Sequence, residues 1–393
     1  MTTVTIGKAG FRRELGTWDC GRAGPTLLVL AGIHGNEPAG ALAVQRVLGR
    51  LQELELEVFG RVLAFAGNLQ ALHAGVRFLA RDLNRRWLPE HTDALLARDP
   101  RADSEEDHEQ RELLTLFQRA VSTARGPVVF VDLHTSSADG PPFVCMADTL
   151  DNRRAAMATG VPIILGIEEL IDGASLEWFS QRGIVNFAVE GGRHEHPDTA
   201  ANHEALLWLL LEFTGVLQSG QVDTAPWRAH LQQATAGLPP VVEIVHRQAI
   251  TASDQFRMEP GFVNFQPVAA GQLLARDRHG ELRAPSACRV MLPLYQALGD
   301  DGYFLARAVR PLWLRVAAAL QWLHLDRIVH WLPGIRRDPR DHHTILVNPI
   351  IARWFVTEIF HLLGFRKERK RDAVLAFTRR WSLAHNRRLG PRP

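Results

Sequence analysis

Residues 26–38 read TLLVLAGIHGNEP. Thr26–Ala31 runs without a charge, and a glycine then opens a turn that carries His34, Glu37 and Pro38. An uninterrupted apolar run of this length is what a strand buried on both faces requires, as in a parallel sheet. Pro38 suits the first turn of a helix. Through Leu51, the residues Val44, Val47, Leu48 and Leu51 then recur on one helical face. Strand, turn and helix in that order make the first unit of an α/β fold.

Working outward, similar short runs stand at Arg61–Ala66, Val128–Asp132, Phe143–Met146, Pro162–Leu165 and Ile184–Glu190. A second helix is expected from Ser104, with Asp107 three residues on as a capping-box partner. Its apolar residues Leu113, Leu116, Phe117 and Ala120 continue towards Gly126. The expectation over residues 1–218 is an α/β catalytic domain: a mixed, largely parallel sheet with helices on both faces. After a linker (SGQVDTAPW, 219–227) come short segments punctuated by Gly and Pro. These are Val241–His246, Gly261–Phe265, Arg289–Leu292 and Tyr303–Val309, read as a small β-rich domain over 219–310. From Pro311 the period becomes helical, which predicts a basic, Trp-rich helical extension over 311–393.

Composition narrows the class. The 393 residues are 46% hydrophobic with a net charge of +2, so most of the chain can bury a core and disorder is excluded. Three scattered cysteines form no CxxC pair and fit reduced thiols better than a disulfide framework. The first residues lack the apolar stretch of a signal peptide, and no apolar run is long enough to span a bilayer; a cytoplasmic location is expected. The charge is uneven. Residues 311–393 hold sixteen Lys and Arg against six Asp and Glu, a net of +10, and five of the ten tryptophans. The rest of the chain is net −8. A membrane-surface contact through an apolar helix at residues 350–363 and the basic run Arg366–Arg371 is one reading. Packing on the acidic body or at a homo-oligomer interface is favoured over it, because Arg353 and Glu358 interrupt the apolar stretch. No nucleic-acid partner is expected.

The chemistry gathers at strand ends, where open α/β sheets place their ligands. His34 and Glu37 form an H-x-x-E pair after the first core strand, and His134 follows Val128–Asp132 in Asp132-Leu133-His134. Together they make a His₂Glu set with an open fourth position, the catalytic rather than the structural pattern for zinc. Asp132 could orient a ligand by hydrogen bonding. Glu190 ends an apolar strand before two glycines, a costly place for a carboxylate unless it is paired or functional. Beside zinc it could serve as general base. Arg77-Phe-Leu-Ala-Arg-Asp-Leu-Asn-Arg85 resembles a loop built to hold an anion. Taken singly, each feature has a plain alternative: a satisfied strand-end histidine, a capping glutamate, a solvated basic turn. His194-Glu195-His196 reads as an exposed polar loop.

In this order, H-x-x-E, R-x-x-x-x-D-L-N-R, D-L-H and a strand-ending Glu resemble the succinylglutamate desuccinylase/aspartoacylase family, relatives of the zinc carboxypeptidases. The resemblance covers about residues 20–310. It implies a carboxypeptidase-like fold and one Zn²⁺ per chain on His34, Glu37 and His134, with Glu190 as general base. It further implies that Arg77 polarises the scissile carbonyl while Asn84 and Arg85 bind a substrate carboxylate. The activity implied is hydrolysis of a small carboxylated N-acyl amino acid. Alternatives are a zinc carboxypeptidase acting on a short peptide, or a membrane- or nucleic-acid-associated adaptor that uses the basic tail. Two positions depart from aspartoacylase. Its further substrate arginine corresponds to Ser180, with Arg182 nearby, and its late tyrosine has only Tyr303 as a counterpart.

Overall fold

The computed structural model describes residues 10–296, 298–310, 312, 316, 331, 334–338, 341–347, 365–371 and 374–379. The strands of the first half are β1 (Glu14–Asp19), β2 (Thr26–Ala31), β3 (Arg61–Ala66), β4 (Val128–Ser136), β5 (Phe143–Cys145), β6 (Ile163–Leu165) and β7 (Val185–Arg193). They lie side by side in the order β1-β3-β2-β4-β7-β5-β6. Pairs β3/β2, β2/β4, β4/β7 and β5/β6 are parallel, while β1/β3 and β7/β5 are antiparallel. This is the mixed, largely parallel sheet expected.

Alternation along the strands divides the core in two. Leu27, Val29 and Ala31 of β2, with Val129, Val131 and Leu133 of β4, pack on one face. There they meet Val44, Val47, Leu48 and Leu51 of the helix Ala39–Glu53 and Leu206–Leu211 of the helix Pro197–Thr214. Leu28, Leu30 and Phe130 point the other way, against Leu113, Leu114 and Phe117 of the helix Glu105–Ser122 and Trp178–Phe179. Successive side chains on a strand point to opposite faces, so a run apolar at every position needs cover on both sides. The Ser104 cap forms as expected, with Asp107 accepting from the Ser104 backbone N–H and from its hydroxyl.

The second half continues the same sheet. Its strands are β8 (Val241–Ala249), β9 (Arg257–Met258), β10 (Pro267–Val268), β11 (Leu273–Asp277), β12 (Gly280–Arg283), β13 (Cys288–Met291) and β14 (Asp301–Ala308). β8 pairs parallel to β6 and extends the sheet through β14, β13 and β10, while β12-β11-β9 form a separate three-stranded sheet. Gly261–Phe265, expected as a strand, is a loop. Phe265 there takes a left-handed φ of 67° that no strand accommodates.

The extension also departs from expectation. Leu312 and Val316 are helical, but β15 (Ile335–Asp338), β16 (Asp341–Val347), β17 (Phe365–Arg371) and β18 (Val374–Arg379) form a four-stranded antiparallel sheet. Thr344-Ile-Leu-Val347 and Val374-Leu-Ala-Phe-Thr378 are rich in β-branched and aromatic residues, which favours strand over helix. The basic run Arg366–Arg371 is therefore strand. The apolar helix read at residues 350–363 lies outside the described residues. β17 packs against the short helix Ile167–Leu170 of the main body. Among the described residues, no helix is long and apolar enough to cross a membrane.

Candidate active site

The turn after β2 brings His34 and Glu37 to the carboxyl end of the sheet, beside the end of β4 that carries His134. The turn is tightly seated. A Cβ on Gly35 would lie 2.1 Å from the carbonyl carbon of Ala71, so only glycine fits. Gly35 N–H also donates to the Arg77 carbonyl at 3.0 Å, which joins this turn to the arginine loop.

His34, Glu37 and His134 are all buried, and one ligand atom from each lies within 4.8 Å of the other two. The Glu37 carboxylate sits between the imidazoles, with Oε1 2.9 Å from His34 Nδ1 and Oε2 3.3 Å from His134 Nδ1. Oε2 also accepts from Thr135 N–H at 2.9 Å. The far side of each ring meets a carboxylate: His34 Nε2 is 3.2 Å from Asp82 Oδ1, and His134 Nε2 is 3.2 Å from Asp132 Oδ2. Carboxylates on both Nε2 atoms turn both Nδ1 atoms towards one point. A carboxylate behind the imidazole is how proteins orient metal-ligating histidines. The donor set and its supports therefore fit a divalent cation.

The electrostatics agree. Burial alone would raise the Glu37 pKa, but His34 and His134 hold it well below the usual carboxylate range. Burial would likewise lower His134, yet Asp132 and Glu37 raise it well above an ordinary histidine. Asp82 is half-buried; desolvation would raise its pKa, but His34, Arg77 and Arg85 keep it far below normal. The Glu37 carboxylate and the His134 imidazole thus hold one another in opposite charge states.

Glu190 reaches the same place from β7, in register with His134 on β4. Its Oε2 is buried with no hydrogen-bond partner. Burial pushes its pKa up to about 7, with His134 opposing and Glu37 reinforcing the shift. A carboxyl poised near neutrality can exchange a proton at physiological pH.

The arginine loop divides its labour. Arg77 lies between Asp82 Oδ2 (3.1 Å) and Glu37 Oε1 (3.7 Å). Arg85 reaches Asp301 Oδ2 at 3.5 Å. Both arginines and Asn84 line the cavity that opens on the three donors and Glu190. Asn84 Oδ1 accepts from Ser175 N–H at 2.8 Å, leaving its Nδ2 as the donor for the cavity. Arg81, the loop's middle cation, turns away to Ser104 and Asp107. What holds the loop is Glu106, 1% exposed, whose carboxylate accepts from the backbone N–H groups of Leu79, Ala80 and Arg81 and from Asn68 Nδ2.

Some candidate residues fall elsewhere. Tyr303 is 2% exposed in the core beside Met258, Phe262 and Val290; its neighbour Phe304 lines the cavity instead. Ser180 hydrogen bonds to Asn186, and Arg182 stacks over Trp178 at 3.7 Å. Neither lines the cavity. His194, read as exposed, is half-buried; its Nδ1 is 2.7 Å from Thr135 Oγ1 and its Nε2 3.3 Å from Gln296 on the cavity wall. Asp82, Glu106 and Asp301 escaped the sequence reading. Only Asp82 left a signal there, as the acid inside the arginine loop.

Residues 23–169 match the succinylglutamate desuccinylase/aspartoacylase catalytic domain. The succinylglutamate desuccinylase of Pseudomonas paraeruginosa is 29% identical over 267 residues, spanning 65% of this chain and 75% of that protein. That of Burkholderia pseudomallei is 27% identical over 265 residues, covering 64% and 70%. The fold is similar to a crystal structure of succinylglutamate desuccinylase/aspartoacylase from Rhodobacter sphaeroides, with a TM-score of 0.55, 21% identity and coverage of 73% and 87%. Murine aminoacylase 3 has a similar fold, with a TM-score of 0.52, 18% identity and coverage of 73% and 96%.

Proposed function

Because the chain belongs to the succinylglutamate desuccinylase/aspartoacylase family, we propose that it is a zinc-dependent hydrolase of small N-acyl amino acids. The observation that carries this reading is the convergence of His34 Nδ1 and His134 Nδ1 on Glu37, each ring backed by a carboxylate, beside an unpaired Glu190. His34, Glu37 and His134 would hold the ion. Bound there, zinc supplies Lewis acidity and makes water a stronger acid.

The chain's own groups do the rest. Glu190 takes the proton of the attacking water and returns one to the departing amine; a pKa of about 7 suits both tasks. Arg77, anchored by Asp82, offers its guanidinium to the oxygen on which negative charge develops. The Asn84 amide and Arg85 hold the substrate's carboxylate, fixing the scissile bond relative to Glu190.

A deacylation screen tests this reading. N-acetyl, N-formyl and N-succinyl amino acids are offered to chelator-treated protein with and without added zinc. Zinc-restored release of free amino acid from at least one class is expected. Hydrolysis unaffected by chelation, or none with any compound, would overturn it.

A further inference from the structure

Among the described residues lining the cavity, the arginines are Arg77 and Arg85, and each already faces a carboxylate of the chain. Arg77 is held between Asp82 and Glu37, and Arg85 faces Asp301. Asp301 is not a casual surface contact. It opens β14, its side chain is 12% exposed, and its second oxygen accepts from Arg247 Nε on β8. Arg247 in turn donates to the Leu170 carbonyl. The carboxylate is thus fixed from behind, on the same cavity wall as the neighbouring, exposed Asp300.

This arrangement limits what a substrate can carry. One substrate carboxylate can share Arg85 with Asp301 and take the Asn84 amide. A second carboxylate finds no further arginine on the described wall: Asp301 already occupies Arg85, and Asp300 stands beside it, bringing like charges to close range. Selectivity of this kind works by repulsion of the wrong ligand. Resting on the deacylase reading above, we propose that Asp301, with Asp300, is a specificity determinant that excludes acidic amino acids. On this view the cavity takes N-acyl derivatives of amino acids whose side chains carry no negative charge.

Glutamate and glutamine derivatives test this cleanly, since they match in shape and differ by one charge. With the acyl group that the screen shows to be fastest, kcat/KM is measured for both compounds on zinc-loaded full-length protein. The glutamine derivative should be preferred by at least about tenfold. Asp301→Asn should reduce that preference by roughly tenfold through a selective gain with the glutamate derivative, and Asp300→Asn should do so to a smaller extent. A merely structural role for Asp301 would slow both compounds alike and leave their ratio unchanged. Equal rates in the parent protein, a preference for glutamate, or a ratio unmoved in both variants would overturn the proposal. If Asp301→Asn does not fold, the parent ratio and the exposed Asp300→Asn decide. No turnover of any compound would overturn the deacylase reading itself, whereas turnover without the preference overturns this proposal alone.

Discussion

Asp82 Oδ1 lies 3.2 Å from His34 Nε2, and the same carboxylate's other oxygen holds Arg77 at 3.1 Å. One half-buried acid therefore orients an imidazole of the donor set and the guanidinium proposed to meet the developing charge. Asp82→Ala should lower zinc affinity by about 10–100-fold, the usual cost of removing such a support. It should also reduce turnover at saturating zinc, because Arg77 loses its anchor. Competition with a chelating dye, read beside kcat, checks both. Unchanged affinity would show that His34 is oriented by other means.

The donor set makes a simpler prediction. Purified protein should hold about one zinc per chain, and His134→Ala should lose most of it, as elemental analysis after dialysis would show. Full occupancy in that variant would remove His134 from the set.

Glu190→Gln should keep the metal and the fold yet lower turnover by at least about a hundredfold, the usual share of general base catalysis. In the parent, kcat/KM should climb about tenfold per pH unit below pH 7 and level off above it, as Glu190 with its pKa near 7 deprotonates. Stability runs the opposite way. The folded pKa is raised above the unfolded value of about 4.5, so the contribution is fully present below pH 4.5 and is lost as pH rises through 7. Glu190→Gln should therefore raise the melting temperature relative to the parent at pH 8 more than at pH 5. A difference independent of pH would mean that Glu190 does not titrate in this range.

Glu106→Ala strips the acceptor from three backbone N–H groups and the Asn68 amide in a buried site. A cost of at least about 3 kcal/mol is expected, since buried unsatisfied donors and charge-assisted hydrogen bonds each carry penalties of that order. Urea denaturation measures it, and near-parent stability would show that the arginine loop is held by other contacts.

Removal of everything after Val309 should give an unstable or aggregating protein. β17 packs on the helix Ile167–Leu170, and Ile167 and Glu168 of that helix line the cavity. The intact chain should not sediment with anionic liposomes. A soluble, active truncation combined with salt-sensitive liposome binding would assign the extension to a membrane surface instead.

Much of the site was legible because its pieces are local. His34 and Glu37 sit three residues apart on a turn that follows an apolar strand. Asp132 and His134 are two apart on β4, so alternation puts both side chains on one face, and their 3.2 Å contact follows from strand geometry. The α/β sheet was legible for the same reason, since burial on both faces leaves an apolar run in the chain itself. The Tyr303 reading shows where this stops. Tyr303 and Phe304 are adjacent on β14, and the register of that strand shifts between Asp301 and Tyr303. A shift of one residue exchanges the faces of a strand, so it decides which ring lines the cavity and which enters the core.

By itself, the sequence determined the strands that run through the core, the helices that cover them and the donor residues at the strand ends. These follow from hydrophobic periodicity and short spacings, which act within a few residues. The tertiary structure alone decided that Asp82 backs His34 across 48 residues, that Glu106 holds the arginine loop, that the sheet runs on from β6 into β8, and that Asp301 meets Arg85. Each of these is a contact between charged groups or backbone edges distant in the chain. No local pattern records such a pairing, because its partners meet only once the whole sheet has assembled.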